Sequence, residues 1–347
     1  MEHQFGPIAL LGSGEASLTG GRVFDLISQK LSSPLRVAVL ETPAGFELKS
    51  PQVAGHVAEF MRVRLQNYNP IIDIIPARKR GTPFSPDSAE ILGSLAQANL
   101  IFMGPGSPTY TVRQLRGSLA WDMLRLRHRQ GAALVFASAA TVAVGTWAVP
   151  VYEIYKVGED VHVVPGLDLF ADFGLPISFV PHWNNTDGGE DVDTSRCFIG
   201  LERFQQWCAQ LPSGHTIVGL DEHTGLVVDF ATEKCMVNGV SSVTLSRECN
   251  PEIFPAGAEF PLTELGRFHW PDQDDIQPGA RELLASAQLT GGPEPVPEEV
   301  LRLAEERRQA RNRKEWARAD ELRLKIAALG WTVRDGVDGQ EIMRGGE

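Results

Sequence analysis

The chain has 347 residues, of which 43% are hydrophobic and 22% charged, with 32 Lys and Arg against 44 Asp and Glu. A chain this long buries about three-quarters of its unfolded surface, and this composition excludes a mainly disordered protein. The net charge of −12 excludes nucleic-acid binding through overall basic charge, though not through a local basic patch.

Cysteine usage points the same way as composition. Cys197, Cys208, Cys235 and Cys249 form no CxxC pair and show no zinc-ligand spacing, so no metal site and no cofactor are expected, and a reducing compartment is. The opening Met1-Glu2-His3-Gln4 has neither a basic region nor a long apolar run, so the expected location is cytoplasmic. The uncharged stretch from Ala132 to Tyr152 approaches membrane-spanning length, but Ser138, Thr141, Gly145, Thr146 and Pro150 interrupt it. It is read as a buried strand followed by a buried helix.

In chain order, short apolar runs each end in a turn signal. They are Ile8–Leu11 before Gly12-Ser13-Gly14, Arg36–Leu40 before Glu41-Thr42-Pro43, and Ile71–Ile75 before Pro76. Leu100–Met103 precedes Gly104-Pro105-Gly106, and Ala133–Phe136 precedes Ala137-Ser138. Continuous apolar strands are typical of a parallel sheet covered on both faces. Segments of helical character lie between them at Val53–Gln66, Ser88–Gln97 and Leu115–Arg129, which predicts a doubly wound, mostly parallel α/β fold. Ligands in such sheets bind beyond the carboxyl ends of the strands, where these turns lie. Ile217–Asp221 and Leu226–Phe230 read as a β-hairpin around Glu222-His223-Thr224-Gly225, with Cys235–Val240 extending it. From about Arg247 the pattern weakens. The expected domains are residues 1–290, a Gly/Pro linker at 291–297, and a helical module at 298–347 that stops its last helix at Gly330.

A serine on a tight strand-to-helix turn has its hydroxyl lifted above the sheet, near amides able to bind an oxyanion. Ser138 meets that description between Ala137 and Ala139, although Phe136 stands where the usual small-residue signature has its first glycine. His182, in Val180-Pro181-His182-Trp183, sits at a strand end on the same side. Taken one at a time, these features read equally as a tight turn, a loop histidine and, at Asp221-Glu222, a solvated hairpin tip.

Together they resemble a known family. Leu10-Leu11-Gly12-Ser13-Gly14-Glu15, Gly104-Pro105-Gly106, Ser138-Ala139 and Val180-Pro181-His182-Trp183 are similar to segments of peptidase family S51. This is the cyanophycinase and aspartyl-dipeptidase group of the class I glutamine amidotransferase-like superfamily. Thr194-Ser195-Arg196 through Gly200-Leu201 resembles its Arg- and Gly-bearing helix, and Val218–Leu226 its G-I-D-E-x-T-A segment. The resemblance covers roughly residues 6–245. It implies a serine hydrolase acting on a peptide or isopeptide bond through an acyl-enzyme, with Ser138 as nucleophile and His182 as base. Backbone N–H groups of Ala139 and Gly106 would form the oxyanion hole. For the triad acid, Glu222 lies in the segment that matches the cyanophycinase branch. Glu153 lies 15 residues after Ser138, a spacing used in the dipeptidase branch; the longer motif favours Glu222. Departures at Phe136, Pro105 and Ala140, and the absent G-G-D-Q loop, argue against carrying over cyanophycin specificity. They also leave a second reading, a non-catalytic member whose pocket binds a ligand.

The tail differs in character. Arg302 to Lys325 holds nine Lys/Arg and five Asp/Glu, which by pattern alone is a solvated helical hairpin. Yet Trp316-Ala317-Arg318-Ala319-Asp320-Glu321-Leu322-Arg323 and Leu329-Gly330-Trp331 resemble the C-terminal anticodon-recognition module of cysteinyl-tRNA synthetases. No HIGH-like or KMSKS-like motif accompanies it, which argues against aminoacylation. The resemblance implies binding of tRNA or another RNA through Arg307, Arg308, Arg311, Arg313 and Arg318; docking on the hydrolase domain or on a protein partner, and homo-oligomerisation, are the other expectations for the tail.

Overall fold

The computed structural model describes residues 5–247, 250–271, 275–290, 297–313, 315–336 and 339–344. The chain divides into a large unit ending at Ala287 and a small unit beginning at Gln288. Residues 291–296 of the expected linker, and Cys249, lie outside the described residues.

The first half of the large unit alternates strand and helix as the apolar runs predict. The elements are β1 (Ile8–Leu11), α1 (Leu18–Ser28), β2 (Arg36–Leu40), α2 (Ser50–Arg64), β3 (Ile71–Ile75), α3 (Gly93–Gln97) and β4 (Leu100–Met103). Then come α4 (Pro108–Leu115), α5 (Leu119–His128), β5 (Ala133–Ala137) and α6 (Ala139–Ala143). After a small ladder of β6 (Trp147–Ala148) and β7 (Val164–Pro165) follow β8 (Ile177–Val180), α7 (Gly200–Cys208), β9 (Thr216–Leu220), β10 (Thr224–Asp229) and β11 (Lys234–Gly239). The unit closes with β12 (Ser242–Arg247), β13 (Asn250–Pro255), β14 (Glu259–Pro261) and α8 (Pro278–Thr290).

The fold is α/β, built on an eight-stranded sheet in the order β14-β11-β10-β1-β5-β4-β2-β3. Strands β1, β5, β4, β2 and β3 are parallel, and β10, β11 and β14 complete the sheet antiparallel. Side chains alternate between two apolar layers, as the two-residue period of a strand requires. Ile8, Leu10, Leu134 and Phe136 enter one layer, and Ala9, Leu11, Val135 and Ala137 the other. A second sheet, β13-β12-β9-β8, stands apart from the first.

Four expectations need correction. The predicted hairpin does not form: β9 pairs with β8 and β12 in the second sheet, whereas β10 pairs with β1 and β11 in the first. The cause is Asp221, whose buried carboxylate accepts from Ser241 Oγ, Ser242 N and Ser242 Oγ and pins the turn where the chain changes sheet. The single helix over Leu115–Arg129 is two, because Gly117 is left-handed (φ 63°) and Ser118 caps α5 by accepting from Trp121 N. The helix expected over Ser88–Gln97 shrinks to a 3-10 turn and the short α3. Strand β3 is an edge strand, with Ile71 and Ile74 partly exposed, rather than a strand covered on both faces. The weakly patterned stretch after Arg247 hides β13, whose Pro251 and Pro255 are tolerated because it lies at a sheet edge.

The small unit holds α9 (Glu298–Asn312), α10 (Trp316–Ala328) and a hairpin of β15 (Trp331–Gly336) with β16 (Gly339–Arg344), so it is not purely helical. Its own core joins Val300, Leu303 and Ala304 of α9 to Ala319, Leu322 and Ile326 of α10, at the three- and four-residue spacing of a helix face. Among the described residues, no helix is long and apolar enough to cross a membrane.

Candidate active site

Strand β5 ends at Ala137, and the chain turns sharply through Ser138 into α6. Ser138 has φ 52° and ψ −114°, a conformation that non-glycine residues rarely adopt. Such strain costs of order 1–3 kcal/mol and persists only where the surroundings over-determine it. Here Ser138 N–H and Thr141 Oγ1 both donate to Leu11 O on β1, and Ala140 N–H donates to Gly104 O. Phe136 does not obstruct the turn, because strand alternation buries its ring in the core.

Ser138 Oγ lies 2.8 Å from Nε2 of His182, and Nδ1 of His182 lies 2.9 Å from Oε1 of Glu222. The structure therefore brings together the three residues singled out as nucleophile, base and acid. His182 follows β8, again at positive φ (52°). Its main chain is gripped from several directions. Its carbonyl accepts from Cys197 N, while Trp183 N–H donates to Leu220 O. The Trp183 indole lies against Gly219, where any Cβ would meet ring carbons at 2.4 Å, and the Arg196 guanidinium lies over the ring at 3.9 Å. Arg196 also donates from its main chain and from Nη1 to Trp183 O. The Phe198 ring packs on the imidazole at 5.0 Å between centroids.

Glu222 stands on the turn between β9 and β10. Its N–H donates to Asn184 Oδ1, and its Oε1 accepts from Asn185 Nδ2 at 2.8 Å. Burial pushes the carboxyl up, but hydrogen bonds from His182, Asn185 and Ser13 outweigh it and bring the pKa down to about 2. Glu222 is therefore an anion throughout the neutral range. Asn184, Asn185 and Ser13 were not singled out from sequence as site residues; two asparagines two and three residues after a candidate catalytic histidine were the available signal.

Gly106 (φ 148°) runs so close to Pro43 that a Cβ would sit 1.9 Å from Pro43 O, and the neighbouring Ser107 N–H donates to that carbonyl. Only glycine fits there. Ala139 is the first residue of α6, beside Ser138. Glu153 is elsewhere: it begins a π-helical turn, and its Oε1 accepts from Thr109 Oγ1 at 2.6 Å.

A second serine–histidine pair, Ser178 Oγ and His215 Nε2 at 2.9 Å, is buried, and no described carboxylate hydrogen-bonds that ring. Ser178 Oγ accepts from Trp147 N, which fits a structural tie. Cys197 is no rival nucleophile, since burial and the nearby Glu222 push its thiol up to about 12. No group of three or more His, Cys, Asp or Glu placed to hold a metal ion occurs among the described residues.

In the small unit, most arginines of the expected RNA-binding set already have acidic or aromatic neighbours. Arg308 pairs with Glu305, Arg313 with Glu315, and Arg318 with Glu321 and Glu306, while Arg311 lies over Trp316. Arg307 is buried rather than presented to solvent.

Among solved structures, a peptidase from an acI-B1 Actinobacterium superposes with a TM-score of 0.60 at 19% identity, covering 75% of this chain and 98% of that one. The chain shares its fold with that peptidase. The profile of the family described as the cysteinyl-tRNA ligase anticodon binding domain matches residues 294–342. Cysteine–tRNA ligase of Methanosarcina acetivorans is 45% identical over 56 residues, which are 16% of this chain and 12% of that protein. The Chlamydia felis enzyme is 39% identical over 49 residues, 14% of this chain and 10% of its own length. The chain thus spans about an eighth or less of the curated relatives it matches.

Proposed function

We propose that the large unit is a serine-type hydrolase of the S51 kind, cleaving a peptide or isopeptide bond. The observation that carries this reading is the continuous Ser138–His182–Glu222 hydrogen-bonded chain at a strained strand-to-helix turn. The peptidase fold is consistent with it.

His182 Nε2 takes the Ser138 proton as Oγ attacks the scissile carbonyl. Nδ1 donates to Glu222, which fixes the tautomer that leaves Nε2 free to accept and stabilises the imidazolium. The carbonyl oxygen becomes an anion, which N–H groups of Ala139 and Gly106 would receive; losing one such donor typically costs about 10²–10³ in rate. His182 then returns the proton to the leaving amine. Water attacks the acyl-enzyme with His182 again as base, and Ser138 is regenerated.

A fluorophosphonate probe tests this directly. It should label Ser138, as read by mass spectrometry of the digested protein, and Ser138→Ala should be refractory. A native protein that resists labelling would favour the non-catalytic, ligand-binding reading.

For the small unit, the match to an anticodon-binding domain supports a role in binding RNA. Fluorescence anisotropy with tRNA checks it: binding should weaken as salt rises, because phosphate contacts release counterions.

A further inference from the structure

We propose that a cleft beside His182 is the specificity subsite of this hydrolase, and that it takes a bulky apolar or aromatic side chain next to the scissile bond. This rests on the reading of Ser138 as nucleophile.

The cleft has a volume of about 460 Å³. That is ample for one large side chain with its flanking main chain. It shares a wall with the triad, because the Phe198 ring that lines it is the ring packed on the His182 imidazole. Tyr152, Tyr155 and Val151 supply a second wall and Val192 part of the lip. Tyr155 and Phe198 face each other at 6.2 Å between centroids. The apolar surface continues outward, where Val192 is 53% and Val157 71% exposed. Phe46 and Leu48, 46% and 104% exposed, stand on the loop whose Glu47 acts on Tyr152. Apolar side chains gathered around a reactive centre mark a surface that is covered in use. The occupant here is fixed by position: whatever chain has its carbonyl at Ser138 Oγ passes the Phe198 wall.

The charges around the cleft are mixed. Asp187 lines the cleft, and Glu222 stands behind His182. Glu153, between Tyr152 and Ile154, keeps Oε2 buried with no hydrogen-bond partner. Against these, Lys156 is the cation that lines the cleft, and its ammonium lies over the Tyr152 ring at 4.8 Å. Arg196, two residues from Phe198, stacks on Trp183 and donates to its carbonyl from Nη1, while its buried Nε has no hydrogen-bond partner among the described residues. The lining charges, Asp187 and Lys156, are one of each sign and select neither sign of occupant, whereas an aromatic ring meets aromatic walls on two sides.

The test uses the full chain and diphenyl aminophosphonates carrying the Phe, Leu or Asp side chain, with kinact/KI at Ser138 read by intact mass. A hydrophobic pocket discriminates by about 10–200-fold, so the Phe and Leu reagents should react at least about 10-fold faster than the Asp reagent. Tyr155→Ala should slow the Phe reagent about 10-fold and change the Asp reagent by less than about 3-fold, the loss expected for removing one aromatic wall. Equal rates, a faster Asp reagent, or reaction with a simple fluorophosphonate but with none of the three would overturn the subsite and leave the hydrolase reading standing. If the fluorophosphonate too fails to label Ser138, the hydrolase reading falls and the subsite with it.

Discussion

Asn185 Nδ2 and His182 Nδ1 converge on one oxygen, Oε1 of Glu222, at 2.8 and 2.9 Å. The asparagine comes from the loop that carries the histidine, so His182 and Glu222 are held from the same side. Asn185→Ala removes one of the donors that hold the Glu222 pKa down. The Glu222 carboxyl should therefore titrate at higher pH in the variant, as read by NMR of its labelled side-chain carbon. Identical titrations in the two proteins would show that Asn185 does not tune the acid.

Ser138→Ala and His182→Ala should each lower hydrolysis by at least about 10⁴-fold, because members of a triad act as a unit. The double variant should be little worse than either. Circular dichroism and cooperative urea unfolding should be retained, since neither side chain belongs to the apolar clusters. Turnover near the native rate in either single variant would remove that residue from the mechanism.

Glu222→Gln should cost about 10⁴ in kcat, the scale seen when a triad acid is neutralised without changing shape. Glu153→Gln should cost far less, because Glu153 bonds Thr109 and not His182. Parallel kinetics of the two variants separate them, and the reverse order of damage would transfer the acid's role to Glu153.

His128 is buried among Phe5, Phe173 and Phe230, and burial lowers its pKa from 6.5 to about 4. As pH falls below 6.5 the unfolded chain takes up a proton that the folded chain refuses until about 4. Stability is therefore full above that window and declines across it by about 3 kcal/mol. His128→Gln, which retains a donor for Gly6 O, should flatten this part of the curve of urea midpoint against pH. An unchanged slope would assign the acid sensitivity to other groups.

A chain ending at residue 290 should be soluble, unfold cooperatively and keep the full protein's Ser138 labelling rate, since the large unit has its own core. Any tRNA binding should be lost with the tail. Aggregation or loss of labelling would make the small unit an integral part of the hydrolase.

How much of this was legible in sequence depended on locality. The five parallel strands were readable because each is a short apolar run closed by a turn. The juxtaposition of Ser138, His182 and Glu222 was readable only through motifs matched together, since each is unremarkable alone. The separation of β9 from β10 was not readable: two apolar runs around a short polar turn look the same whether they pair with each other or enter different sheets. What decides is Asp221 bonding Ser241 and Ser242, a contact across some 20 residues. The strained turn at Arg196, Cys197 and Phe198, with φ of 56°, 60° and 68°, carries no glycine to announce it.

Ser138 is delivered by β5 of the large sheet, whereas His182 and Glu222 are delivered by β8 and β9 of the small one. The seam between the sheets thus runs through the reaction centre. A chain still being synthesised presents its serine well before β9 exists, and that hydroxyl has no proton acceptor aligned with it. Under the proposed mechanism, activity therefore requires both sheets in place, and the large one is itself completed by β10, β11 and β14, which follow β9 in the chain. By the same arrangement, the rate of labelling at Ser138 reports sheet-to-sheet docking, and its loss in mild denaturant would mark the parting of the two layers.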